Sequence, residues 1–82
     1  MNHSELLQRI ERNPEVMLGK PVVRGTRITV EILLEKLAAG ATIEDLLADY
    51  PALGRDDVLA ALAYARQVVG TDEVVLDTAR TA

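Results

Sequence analysis

Three cations, two glycines and a threonine fall within the nine residues Gly19-Lys20-Pro21-Val22-Val23-Arg24-Gly25-Thr26-Arg27. Ammonium and guanidinium groups beside a glycine-punctuated turn, with backbone N–H groups turned outward, are suited to gripping a phosphate or a carboxylate. The stretch is not a nucleotide-binding P-loop, because Pro14 stands where that motif needs its first glycine and Pro21 where it needs Ser or Thr. Two readings stay open on the residues alone. In one, Lys20, Arg24 and Arg27 bind an anionic partner, with Arg9, Arg12 and Arg55 as additional phosphate contacts. In the other, Gly25 serves a turn, Gly19 and Pro21 set the chain direction, and the arginines are solvated or paired with acidic neighbours such as Glu31.

No grouping elsewhere supports catalysis. His3 is the single histidine, it lies beside the N-terminus, and cysteine is absent, so neither a thiolate nucleophile nor a Cys/His metal set can be assembled. The carboxylates have structural roles available: Asp56 and Asp57 suit the first turn of a helix, Glu44 and Asp45 another, and Glu31 with Glu35 form a like-charged i, i+4 pair on a solvated face. The expectation is a binding protein with no catalytic residues, no metal and no cofactor.

The elements that must carry the motif follow from patterning. Val30, Leu33, Leu34 and Leu37 stand at helical spacing behind Thr29, a suitable N-cap, and end at Gly40. Ile43, Leu46, Leu47 and Tyr50 repeat the pattern behind Thr42, with Asp45 in capping-box spacing and Pro51 as the stop. A third helix is expected from Arg55 to Val69, with Val58, Ala61, Leu62, Ala65 and Val69 on one face and Gly70 after it. Its alanines suit either tight internal packing or a subunit interface. Upstream, Pro21 to Ile28 is rich in β-branched residues and predicts a small hairpin or bent strand, with Arg24-Gly25 as a two-residue turn and Gly25 at positive φ. Ser4 to Arg12 fits a helix through Leu6, Leu7 and Ile10, yet Gln8 to Arg12 also alternates as a strand does. Asn13-Pro14 breaks either.

Together these predict a mainly α fold: a three-helix, helix-turn-helix type bundle with a small N-terminal β-hairpin or strand arm. The expected organisation is one domain over residues 1–70, with the arm at 9–29 and the trihelical body at 30–69, and a frayed tail at 71–82. In that tail Val74, Val75 and Leu76 offer something to bury on a partner.

With 82 residues, 49% hydrophobic but only 2% aromatic, the core must be aliphatic and thin, since a domain of this size buries only about 60% of its unfolded surface. Such domains gain stability by association, so a homodimer or higher oligomer is expected. The net charge of −4 is unevenly spread. Residues 1–30 hold Arg9, Arg12, Lys20, Arg24 and Arg27 against Glu5, Glu11 and Glu15, a net +2, which leaves −6 on residues 31–82. An acidic chain argues against a general nucleic-acid coat, although a local basic face still reaches phosphates. The absence of a long apolar run or a basic leader argues against a membrane partner and for the cytoplasm.

Several runs carry a family resemblance. Asn13-Pro14-Glu15-Val16, the stretch Gly19 to Val30, Gly40-Ala41-Thr42, Tyr50-Pro51 and Asp57 to Ala65 closely resemble the small bacterial family known as domain of unknown function 433, over about residues 9 to 69. The motif positions that match are Gly19, Lys20, Pro21, Gly25, Thr26 and Arg27, with Tyr50, Pro51, Ala61 and Leu62 as framework. The resemblance implies a homeodomain-like or winged helix-turn-helix module and, for some members, a VapB-type antitoxin encoded beside a PIN-like ribonuclease toxin. It assigns no catalytic role.

The function expected from this is an antitoxin-like protein of a type II toxin-antitoxin system that neutralises a PIN-like ribonuclease and can repress its own operon. A cation such as Arg27 or Arg80 would compete with metal at the nuclease carboxylates. The alternative is a stand-alone helix-turn-helix DNA-binding regulator. Against the alternative, the start of the last helix presents Asp56 and Asp57, with Arg55 as its nearest cation, where a DNA reader would present donors to the groove. DNA contacts would then fall to the arm and would need a two-fold dimer.

Overall fold

The computed structural model describes residues 1–81, with side chains through residue 71. Four helices and one short antiparallel pair of strands make up the chain, in the order α1 (His3–Leu7), β1 (Ile10–Glu11), β2 (Val22–Val23), α2 (Val30–Ala38), α3 (Ile43–Asp49) and α4 (Arg55–Thr81), with a single 3-10 turn at Met17–Gly19. The fold is mainly helical, as the patterning predicts.

Local chemistry accounts for the helix boundaries. Thr29 caps α2 by accepting from the N–H of Ile32 at 3.0 Å. At the other end Gly40, at φ 105°, lets the chain reverse, so that its N–H reaches the Leu37 carbonyl and the N–H of Ala41 reaches the Lys36 carbonyl, both at 3.0 Å. This pair of bonds satisfies carbonyls the helix leaves open. Thr42 and Asp45 form a reciprocal capping box at the start of α3, with bonds of 3.1 and 2.9 Å. The Thr42 N–H donates to the Asp45 carboxylate, and that bond, helped by the Thr42 hydroxyl, holds the Asp45 carboxyl below its ordinary range.

The core lies where α2, α3 and α4 meet over the strands. Leu33, Leu46, Val22 and Val58 are fully buried, with Ile10, Val23, Val30, Leu53, Ala60 and Ala61 around them. Ala60 and Ala61 pack inside the chain, where their small size lets α4 approach its neighbours. Leu62 and Val69, expected on the buried face, are instead exposed, because the inward face of α4 is centred on Val58 and Ala61.

One open alternative is resolved and two further expectations are corrected. The span Ser4 to Arg12 is divided rather than uniform: Asn2 caps α1 through Glu5 N–H at 2.8 Å, and Ile10–Glu11 then pairs with Val22–Val23, Ile10 opposite Val23. A partner strand distant in sequence selects the extended conformation there. The hairpin turn is wider than two residues. Val23 N–H bonds to the Ile28 carbonyl at 2.9 Å and Val22 bridges Thr29, so residues 24–27 form the loop. The last helix does not stop at Gly70 but continues to Thr81. Interior glycine costs a helix about 1 kcal/mol relative to alanine and does not forbid it. The side chains of Val74, Val75, Leu76 and Arg80 lie outside the described residues.

Candidate functional site

The loop after β2 is built by Thr26 and Gly25. Thr26 donates its hydroxyl to the Val23 carbonyl at 2.8 Å and accepts from Ile28 N–H at 3.0 Å, while its own N–H closes the turn onto Val23 at 3.0 Å. Gly25 sits at φ 79°, a conformation that costs a side-chain-bearing residue roughly 1–2 kcal/mol. The exposed N–H of Gly25 donates to Glu11 Oε1 at 3.1 Å, and Glu11 Oε2 lies 3.7 Å from the Arg24 guanidinium. Arg24 also donates to the Gln8 carbonyl at 2.8 Å. The turn therefore does bind a carboxylate, and that carboxylate belongs to the strand beside it.

The other cations separate in the same way. Lys20 donates to Glu31 at 2.8 Å, and that hydrogen bond, reinforced by the ammonium charge, holds the Glu31 carboxyl below its ordinary range. Arg12 donates to the Gly19 carbonyl at 3.0 Å. Arg9 reaches Asp57 at 3.0 Å and Asp56 at 3.9 Å. Arg55 faces Glu44 at 3.9 Å. Arg27 alone among the motif cations has neither an ion pair nor a side-chain hydrogen bond among the described residues. Exposed pairs of this kind contribute on the order of 0–1 kcal/mol and can be exchanged for an external anion at small cost.

Lys20 and Arg27, separated in sequence, line one open groove of about 490 Å³, together with Met17, Ile32, Glu35 and Tyr50. Lys36 lies over the Tyr50 ring, its ammonium 5.9 Å from the ring centre. Arg24, Gly25, Arg9 and Arg55 do not belong to this groove. No group of three His, Cys, Asp or Glu residues among those described is arranged to hold a metal ion.

The residues sequence reasoning missed stand at the edge of this groove. Met17 and Leu18 have φ of 49° and 59°, and Gly19 follows at 80°, so three successive residues occupy the left-handed region. For the two non-glycine residues this costs of order 1 kcal/mol each, the kind of strain that persists where function requires it. The turn delivers Leu18 to solvent at 92% exposure. The signal was present as an apolar run, Val16-Met17-Leu18, placed in a loop between a proline turn and a glycine.

The family described as "Protein of unknown function (DUF433)" matches residues 10–65. The protein named "Uncharacterized protein y4eO" from Sinorhizobium fredii is 36% identical over 56 residues, 68% of this chain, and the chain spans a quarter (25%) of that protein's length. A crystal structure of a DUF433 member protein from Anabaena variabilis superposes with a TM-score of 0.72 at 34% identity, covering 93% of this chain and 76% of that one. No helix among the described residues is long and apolar enough to cross a membrane.

Proposed function

This chain belongs to the DUF433 family, and from that premise we propose that it is an antitoxin-like adaptor that binds and neutralises a PIN-like ribonuclease and, in complex, represses its own operon. It does so by occupying the nuclease surface and carries no catalytic or metal-binding residue of its own. The observation that carries the reading is the strained turn that holds Leu18 at 92% exposure while its neighbour Met17 lines the groove of Arg27, a cation with no ion pair among the described residues. An exposed apolar side chain on the turn that borders a groove holding a guanidinium is the recognition chemistry of a protein pocket bordered by carboxylates. A nuclease that holds its metal with carboxylates offers such a border, and Arg27 occupies it in place of the cation. Co-expression with the adjacent gene product tests this: co-purification and growth rescue are expected, with both lost in Leu18→Asp/Arg27→Ala at unchanged helicity. A toxin that neither co-purifies with the wild type nor is silenced by it overturns the reading.

A second reading, a DNA-binding regulator, is supported by one contact. Arg9 lies against Asp56 and Asp57 and offsets the charge that argues against presenting the start of α4 to DNA. It predicts a shift of the chain's own promoter DNA by the purified protein alone, with steep salt dependence and loss on Arg24→Ala/Arg27→Ala.

A further inference from the structure

A second concave surface adjoins the first along α2, where Glu31 and Glu35 line both. Between α2 and α4 runs a groove of about 450 Å³ whose walls are almost entirely carbon, formed by Val30, Leu34, Tyr64, Ala65, Val68 and Val69. Val68 and Val69 are 50% and 52% exposed, and Leu62, seven residues before Val69 and therefore on the same side of α4, is 39% exposed. An apolar stripe and an apolar groove thus share one helix.

The charges at this surface are also unpaired in a complementary way. Glu35 lies on the α2 rim, and Arg66 lies on α4 between Leu62 and Val69 at i+4 and i−3. Neither has an ion-pair partner among the described residues. Within one chain they stand on different helices.

We infer that this groove is the seat of a second copy of the chain, with the two α4 helices packed antiparallel about a two-fold axis. Each copy inserts its Leu62 and Val69 stripe into the groove of the other, and Arg66 of each meets Glu35 of the other. A two-fold contact requires one patch to be complementary to itself. This patch meets that requirement in shape, because α4 supplies both stripe and groove wall, and in charge, because it carries one free carboxylate and one free guanidinium. Ala65, small and set in the groove wall, permits the close helix approach that such packing uses. The surface includes neither Leu18 nor Arg27 and meets the Arg27 groove only at Glu31 and Glu35, so the inference does not rest on a nuclease.

Sedimentation of the purified chain from about 1 to 200 µM, the range in which a micromolar association becomes half-complete, reads this directly. A monomer–dimer equilibrium is expected. Val68→Asp/Val69→Asp changes only exposed positions and is expected to give a monomer with native helicity. Arg66→Glu and Glu35→Arg are each expected to weaken the dimer about tenfold or more, and the double variant to restore most of that loss. A wild-type chain that is monomeric at 200 µM overturns the inference. A dimer unmoved by the two aspartates, or a charge swap with no restoration, also overturns it. So does a monomeric wild type in which the aspartates block nuclease binding, which gives the groove to the other partner.

Discussion

The Arg9 guanidinium, at the start of the N-terminal arm, donates to the Asp57 carboxylate in the first turn of α4 across 3.0 Å, although the two stand 48 positions apart in sequence. The same carboxylate accepts from Gly54 N–H through its other oxygen at 2.9 Å. Asp57 therefore caps α4 and ties the arm to the helical body at once. The two roles predict unequal losses. Arg9→Ala costs about 1 kcal/mol, whereas Asp57→Ala costs about 2 because the cap is lost with the ion pair. Chemical denaturation of the two single variants and the double variant checks this, and a double-mutant cycle with no coupling removes the link between arm and body.

The Gly25 turn predicts an asymmetry within the motif. A Cβ at Gly25 meets nothing within 4 Å, so the penalty of Gly25→Val is conformational rather than steric. It is expected to exceed about 1 kcal/mol, since β-branched residues are least tolerant of positive φ. Lys20→Ala, which removes only an exposed pair with Glu31, is expected to change stability by no more than about 0.5 kcal/mol. Equal melting temperatures for wild type and Gly25→Val would refute the turn.

Strain at Leu18 has the opposite consequence. Asparagine accepts the left-handed region more readily than leucine, and little apolar burial is lost at a position 92% exposed. Leu18→Asn is therefore expected to raise the melting temperature by about 2–4 °C, roughly 0.5 kcal/mol for a domain of this size, while weakening capture of the nuclease. A variant that is both less stable and fully able to bind contradicts the assignment of Leu18 as an anchor.

Acid is expected to destabilise the fold through Glu31 and Asp45. Both carboxyls titrate lower in the folded chain than they would unfolded, Glu31 through Lys20 and Asp45 through Thr42. A depressed folded value means the unfolded chain takes up protons first, so the contribution is complete above the usual carboxylate range and is lost as pH falls through and below it. Thermal melts between about pH 7 and pH 3 should decline only below about pH 5, and less steeply in Glu31→Gln and Asp45→Asn. A stability that rises on acidification has the wrong sign.

The cap at Thr42 offers a simpler check on α3. Its hydroxyl accepts from Asp45 N–H at 3.1 Å, and Thr42→Ala is expected to cost about 1 kcal/mol. Thr42→Ser should retain most of it.

What the sequence determined by itself is what depends on neighbours in the chain. The starts of α2 and α3 at Thr29 and Thr42, the reversal at Gly40 and the positive φ of Gly25 are all set by groups within a few residues of one another, and all were legible before the structure. The site was legible in its residues but not in its pairings. Composition shows that the arm is basic; only the fold shows that Glu11, Glu31 and Asp57 already engage Arg24, Lys20 and Arg9, while Arg27 has no ion pair among the described residues. Pairing across 13, 11 and 48 positions depends on how the elements pack, which no local pattern encodes. The same reason explains the split of Ser4 to Arg12 and the exposure of Leu62 and Val69. A strand forms where a partner strand arrives, and a helix face is buried only as far as its neighbours extend.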